Sequence, residues 1–203
     1  MHRVVRKNAG FNSLPNRHPC KYFQEGEAYI LLDGDGPLLV FPAQHATTQQ
    51  LHFAVRHSSG LVHAAMHSDR LDELRIPDQT VLASERSGIP FTVAVDAVGV
   101  TTGISGRDRA LTLRTLASPD SVPLDLNRPG HILPVRCRPS ALHEARTVWE
   151  AAVALVERAG FQPVAVACRL MHDRGDVLGE HDSRAFANWA SLETVDWQAL
   201  HLV

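Results

Sequence analysis

Residues Leu124–Arg136 read LDLNRPGHILPVR, and residues Phe91–Ala117 read FTVAVDAVGVTTGISGRDRALTLRTLA. The first stretch gathers Asp125, Asn127, Arg128 and His131 around Pro129 and Gly130, ahead of the apolar ILPV. Its composition predicts a Pro-Gly turn that presents His131, followed by a short strand. Polar residues at this density suit a solvated connector, or an active-site loop that binds anions and carries protons. The second stretch alternates apolar and polar residues over FTVAVDAV, as a strand does. It continues into SGRDRALTLRTLA, where Ser105 caps a helix with an apolar side at Leu111, Leu113 and Leu116.

Working outward, the same alternation of strand and helix recurs. AYILLD (Ala28–Asp33) and PLLVFPA (Pro37–Ala43) predict two strands joined by a tight Asp-Gly-Asp-Gly turn. ATTQQLHFAVR reads as a helix capped by Thr47 or Thr48, GLVHAAM as a strand, and SDRLDELRI as a short helix capped by Ser68 or Asp69. SALHEARTVWEAAVALVERAGF is the strongest helical stretch, with Ser140 as its cap and Gly160 as its stop. PVAVACRLM reads as a buried strand, and a last small helix surrounds Phe186 and Trp189. The expected fold is α+β with α/β-type alternation, a mixed sheet flanked by helices in a single domain.

Composition supports one domain and excludes several functions. The chain has 203 residues, 44% of them hydrophobic, enough to bury a core without staples. A formal net charge of -2 points away from nucleic acid. No apolar run approaches a membrane span. Met1–Gly26 is polar and broken by Pro15 and Pro19, so it is not read as a signal peptide. Residues 1–25 are expected to be an extension and 26–203 the domain. Cys20, Cys137 and Cys168 are odd in number and far apart, which fits reduced thiols and a cytoplasmic location.

The opening stretches resemble the 3,4-dihydroxy-2-butanone 4-phosphate synthase family. Its pattern is F-T-V, then G-V-T-T-G-x-S-x-x-D-R, then D-L-x-x-P-G-H-x-x-P-L. The matching residues include Thr101, Thr102, Gly103, Ser105, Asp108, Arg109, Pro129, Gly130 and His131. RHSSGLV (Arg56–Val62) and ERAGFQPVAVAC (Glu157–Cys168) fit in the same order, and the resemblance covers Gly26–Leu200. It implies a homodimer with active sites shared between subunits. It also implies a reaction on ribulose 5-phosphate that expels formate and yields a riboflavin precursor, with Mg²⁺ holding enediolate oxygens and carboxylates moving protons.

Several residues depart from that pattern. The family's acidic loop, D-D-E-D-R-E-N-E-G-D, is here LDGDGP, which keeps Asp33 and Asp35 but is about four residues shorter. The family's R-x-G-H-T-E-A falls on ARTVWEA, so Ala145 stands for the Arg, Val148 for the metal-binding His and Trp149 for the Thr. Only Glu150 and Ala151 match there, and an earlier helix start is expected to have replaced a phosphate loop. The catalytic Glu that follows the family's Cys is Arg169, and a Cys on the earlier strand is His63.

These substitutions set the functional expectation. His131, His63 and Arg169 are the expected catalytic residues. Asp33, Asp35, Thr101, Arg109, Arg128 and Trp149 are expected to bind substrate, with no metal and no cofactor. Arg109 and Arg128 serve equally well as braces, and Asp33 and Asp35 as turn formers. The expected chemistry is a metal-independent elimination, isomerisation or cyclisation, of lyase or isomerase type. Its substrate is a small anionic or oxygenated metabolite in specialised metabolism, and its partner a second copy of the chain, with no nucleic acid and no membrane. The alternatives are a non-catalytic binding module or regulatory subunit on the same fold, and the synthase reaction on ribulose 5-phosphate.

Overall fold

The computed structural model describes residues 27–82 and 88–202; the expected extension and Cys20 lie outside the described residues. In chain order the elements are β1 (Tyr29–Leu32), β2 (Leu38–Pro42), α1 (Thr48–His57), β3 (His63–His67), α2 (Ser68–Glu73) and β4 (Val95–Ala97). They continue as α3 (Gly106–Ala117), β5 (Leu126–Cys137), α4 (Val148–Arg158), β6 (Val164–Arg169), α5 (Glu180–Ala190) and β7 (Thr194–Asp196). The strands form one seven-stranded sheet in the order β4-β5-β3-β6-β2-β1-β7. β3 pairs parallel with β5, and β1 with β7, while the remaining pairs are antiparallel. The fold is α+β with a mixed sheet, as the sequence predicts.

Both faces of the sheet are covered, which is why YILL, LLVFP and VAVACR read as continuous apolar runs. Alternate residues of each strand feed two cores. Ile30, Leu39, Phe41, Met66 and Val166 share one core with Leu51 of α1 and Leu113 and Leu116 of α3. Leu31, Val40, Ala65 and Ala167 share the other with Trp149, Val153 and Val156 of α4. Thr47 and Ser105 cap α1 and α3 through side-chain oxygens that accept the Gln50 and Asp108 amides.

Three sequence expectations need correction. Asn127–His131 is not a loop; it lies inside the twelve-residue strand β5. β4 runs alongside and approaches so closely that a Cβ on Gly130 would lie 2.0 Å from the Val95 carbonyl carbon. Gly130 therefore serves strand contact, not a turn. The helix expected from Ser140 begins instead at Val148. Thr147 Oγ1 accepts the Glu150 amide at 3.2 Å, and a Glu150 carboxylate oxygen accepts the Arg146 amide at 2.7 Å. This capping arrangement stops the helix from running back. Residues 140–147 stay irregular apart from a 3₁₀ turn at Leu142–Glu144, so no earlier helix has replaced a loop. Finally, α2 starts at Ser68 itself, after His67, without a side-chain cap. The short β7 went unread because three residues carry no usable period.

Candidate functional site

Three adjacent strands bring His131, His63 and Arg169 to one end of the sheet. His63 pairs with Leu133 on β5 and with Ala167 on β6. His131 and Arg169 each lie two residues beyond those partners, toward the same end. Two strand spacings separate β5 from β6, about 10 Å of sheet. Alternation also puts all three on the α4 side, since Ile132 and Cys168 belong to the opposite core.

His131 is exposed and is held by a residue absent from the expected set. Asp96 of β4 is buried, with one oxygen 2.9 Å from the His131 amide and the other 2.7 Å from Nδ1. A carboxylate only accepts, so Nδ1 carries the proton in the neutral ring and Nε2 keeps its lone pair. Gly103, at φ +75°, fits against the pair; a Cβ there would lie 2.2 Å from Asp96 Oδ2 and 2.4 Å from His131 Nδ1. The signal for Asp96 was available in the sequence: it is the single acid in the apolar alternation FTVAVDAV.

His63 behaves differently. It is buried, its Nδ1 donates to the Ala167 carbonyl at 3.1 Å, and it stacks on Phe91 with ring centres 5.6 Å apart. Trp149 lies 5.0 Å away on the other element. Burial pulls its pKa from 6.5 to about 4, and the positive Arg169 adds to that. His63 is thus neutral near pH 7, an acceptor through Nε2 and not a titrating base.

Arg169 is anchored internally. Its Nη1 donates to Asp33 Oδ2 at 3.1 Å and to the Gly36 carbonyl. Trp197 Nε1 donates to the other Asp33 oxygen at 3.1 Å. Asp33 therefore serves Arg169, while Asp35 stands exposed on the turn.

The remaining expected residues disperse. Arg128 donates to the carbonyls of Arg75, Pro123, Leu126 and Leu74, bracing the start of β5 against the end of α2. Arg109 is buried and donates to the Gly60 carbonyl at 2.8 Å. Both braces run through main-chain carbonyls. Thr101 donates to Asp108 Oδ2 at 2.8 Å, and this bond, first among several, holds the Asp108 carboxyl below the ordinary range. Trp149 is packed into the α4 core. Cys137 and Cys168 are free and buried, and burial pushes both thiols up to about 12.

The donor set does not fit the magnesium that the resemblance implies. Magnesium takes oxygen ligands in near-octahedral order. Val148 offers no lone pair, Arg169 is a cation, and the Asp33 carboxylate is paired with that cation and with the Trp197 indole. Among the described residues, no group of three or more His, Cys, Asp or Glu is placed to hold a metal ion.

A solvent-facing imidazole backed by a buried carboxylate, at the end of a mixed sheet on an α+β scaffold, is an arrangement able to exchange a proton with a small molecule. The profile of the family described as 3,4-dihydroxy-2-butanone 4-phosphate synthase matches residues 18–202. The 3,4-dihydroxy-2-butanone 4-phosphate synthase of Candida albicans is 39% identical over 172 residues, covering 81% of this chain and 83% of the relative. That of Schizosaccharomyces pombe is 40% identical over 167 residues, 79% and 81% of the two chains. A crystal structure of a 3,4-dihydroxy-2-butanone 4-phosphate synthase in complex with two magnesium ions superposes with a TM-score of 0.82. It is 33% identical and covers 88% of this chain and 91% of that one. The chain belongs to the 3,4-dihydroxy-2-butanone 4-phosphate synthase family. Among the described residues, no helix is long and apolar enough to cross a membrane.

Proposed function

We propose that this family member performs metal-independent acid–base chemistry on a small anionic or oxygenated metabolite. The reaction is an elimination, isomerisation or cyclisation, and the setting specialised metabolism. The observation that carries this reading is the Asp96–His131 pair at the same end of the sheet as the cation at position 169, two strands away. His131 Nε2 takes a proton from carbon or oxygen of the substrate. The Asp96 carboxylate stabilises the imidazolium that forms and fixes its orientation. Arg169 faces the oxygen on which negative charge develops. His63, neutral, accepts a hydrogen bond from a substrate hydroxyl. We also infer a homodimer with shared sites and, from the two buried thiols, a cytoplasmic location.

A second reading is the synthase reaction itself. It is favoured by the name carried by relatives at 39% and 40% identity. One experiment separates the two. The protein is incubated with ribulose 5-phosphate and Mg²⁺, and separately with each of several candidate substrates and EDTA in D₂O. We expect no formate above the blank with Mg²⁺, because the ligand positions are lost. In EDTA we expect deuterium uptake into at least one member of a panel of ketose phosphates and keto acids, absent in His131→Ala. Formate release would establish the second reading. No uptake across the panel would sink the first.

A further inference from the structure

Arg169 is neither loose nor fully used. Its Nη1 is taken by Asp33 and the Gly36 carbonyl, whereas Nε and Nη2 make no hydrogen bond among the described residues. The side chain keeps 17% of its surface accessible. Three features hold it still. Asp33 is itself oriented by Trp197, whose indole N–H lies 3.1 Å from the second carboxylate oxygen. The turn at Gly36, with φ +111°, lies against the arginine stem; a Cβ there would be 3.3 Å from Arg169 Cδ and 2.1 Å from Val177 Cγ1. β2 pairs alongside, with Leu38 opposite Arg169.

We propose that Asp33 and Trp197 are positioning residues that hold Arg169 as a fixed fork for a compact oxyanion, a carboxylate or a phosphate. The free Nε and Nη2 groups are parallel donors, the geometry that matches two oxygens of one anion. Asp33 cancels much of the guanidinium charge, so the site selects by direction of donors more than by net charge. A lysine in place of Arg169 keeps the partner for Asp33 but loses the fork. Trp197 acts at one remove: its N–H fixes the Asp33 carboxylate plane, and the carboxylate fixes the guanidinium. This rests on the role given to Arg169 above and adds the ligand class and the two residues that prepare it.

The test is anion titration of the full chain at constant ionic strength, with chloride as background. Inorganic phosphate and malonate are the probes, followed by calorimetry and by the indole N–H signals of the three tryptophans. Trp197→Phe assigns its own signal. We expect saturable binding of at least one probe, with the Trp197 signal moving on titration. Arg169→Lys should weaken binding at least tenfold with the fold unchanged by circular dichroism. Asp33→Asn and Trp197→Phe should each weaken it several-fold. Binding by Arg169→Lys equal to wild type, or no binding of either probe, overturns the proposal. Wild-type binding by both Asp33→Asn and Trp197→Phe overturns the positioning role. Phosphate without malonate, or the reverse, identifies the anion. His131→Ala separates the two ideas: it should lose deuterium uptake and keep anion binding, so the fork is judged whether or not the acid–base reading survives.

Discussion

At the scale of single residues, two histidines on neighbouring strands have opposite environments. His131 is open to solvent with a carboxylate behind it, and His63 is enclosed between Phe91 and Trp149. The enclosed ring has a consequence for stability. Its folded pKa is about 4, against 6.5 in the free residue, so the unfolded chain takes up the proton first as pH falls. Stability contributed by His63 is full above pH 6.5 and declines as pH drops toward 4, by up to about 3 kcal/mol. Urea unfolding at pH 7 and at pH 4.5 should show this loss in the wild type. His63→Gln, which keeps a donor for the Ala167 carbonyl and cannot charge, should show much less. An equal acid loss in both proteins would remove His63 as the cause.

At the scale of elements, the capped start of α4 and the contact of β4 with β5 shape the site. Thr147→Ala removes the acceptor for the Glu150 amide and should cost about 1 kcal/mol. Ser140→Ala, outside the helix, removes a buried hydroxyl that has no hydrogen-bond partner among the described residues and should not destabilise. Thermal or urea unfolding of the two variants decides where the helix begins. The reverse ranking would restore the start at Ser140. Gly130→Ala drives a methyl into the Val95 main chain and should cost about 3 kcal/mol or prevent folding. Denaturant midpoints near that of wild type would show that β4 can move away. Asp96 sits on β4, so a folded Gly130→Ala variant should also lose the His131 contact.

At the scale of the whole molecule, three exposed apolar residues lie together where β4 ends and β5 begins. Leu124 is 87% exposed, Val98 55% and Val122 49%, and the Val98 amide donates to the Asp125 carbonyl, which brings the two segments together. This patch suits the homodimer proposed above. Light scattering at micromolar concentration should give about twice the 22.3 kDa chain mass. Leu124→Asp should shift the distribution to monomer with the fold intact; a wild-type monomer would contradict the proposal. The sequence by itself determined the family, the buried strands and two of the four expected helix caps, Thr47 and Ser105, because apolar periodicity and capping chemistry are local. It also determined what two positions cannot do, since Val148 has no lone pair and Arg169 no acceptor whatever surrounds them. Even the Thr147–Glu150 cap was legible, but the long apolar helix stretch around it drew the boundary too early. Tertiary structure alone decided the rest. Asp96 reaches His131 across 35 residues, and Asp33 reaches Arg169 across 136. Pro129 and Gly130 look like a turn until β4 passes alongside. Such contacts leave no local period, because they arise only when the sheet order places distant strands within hydrogen-bond reach.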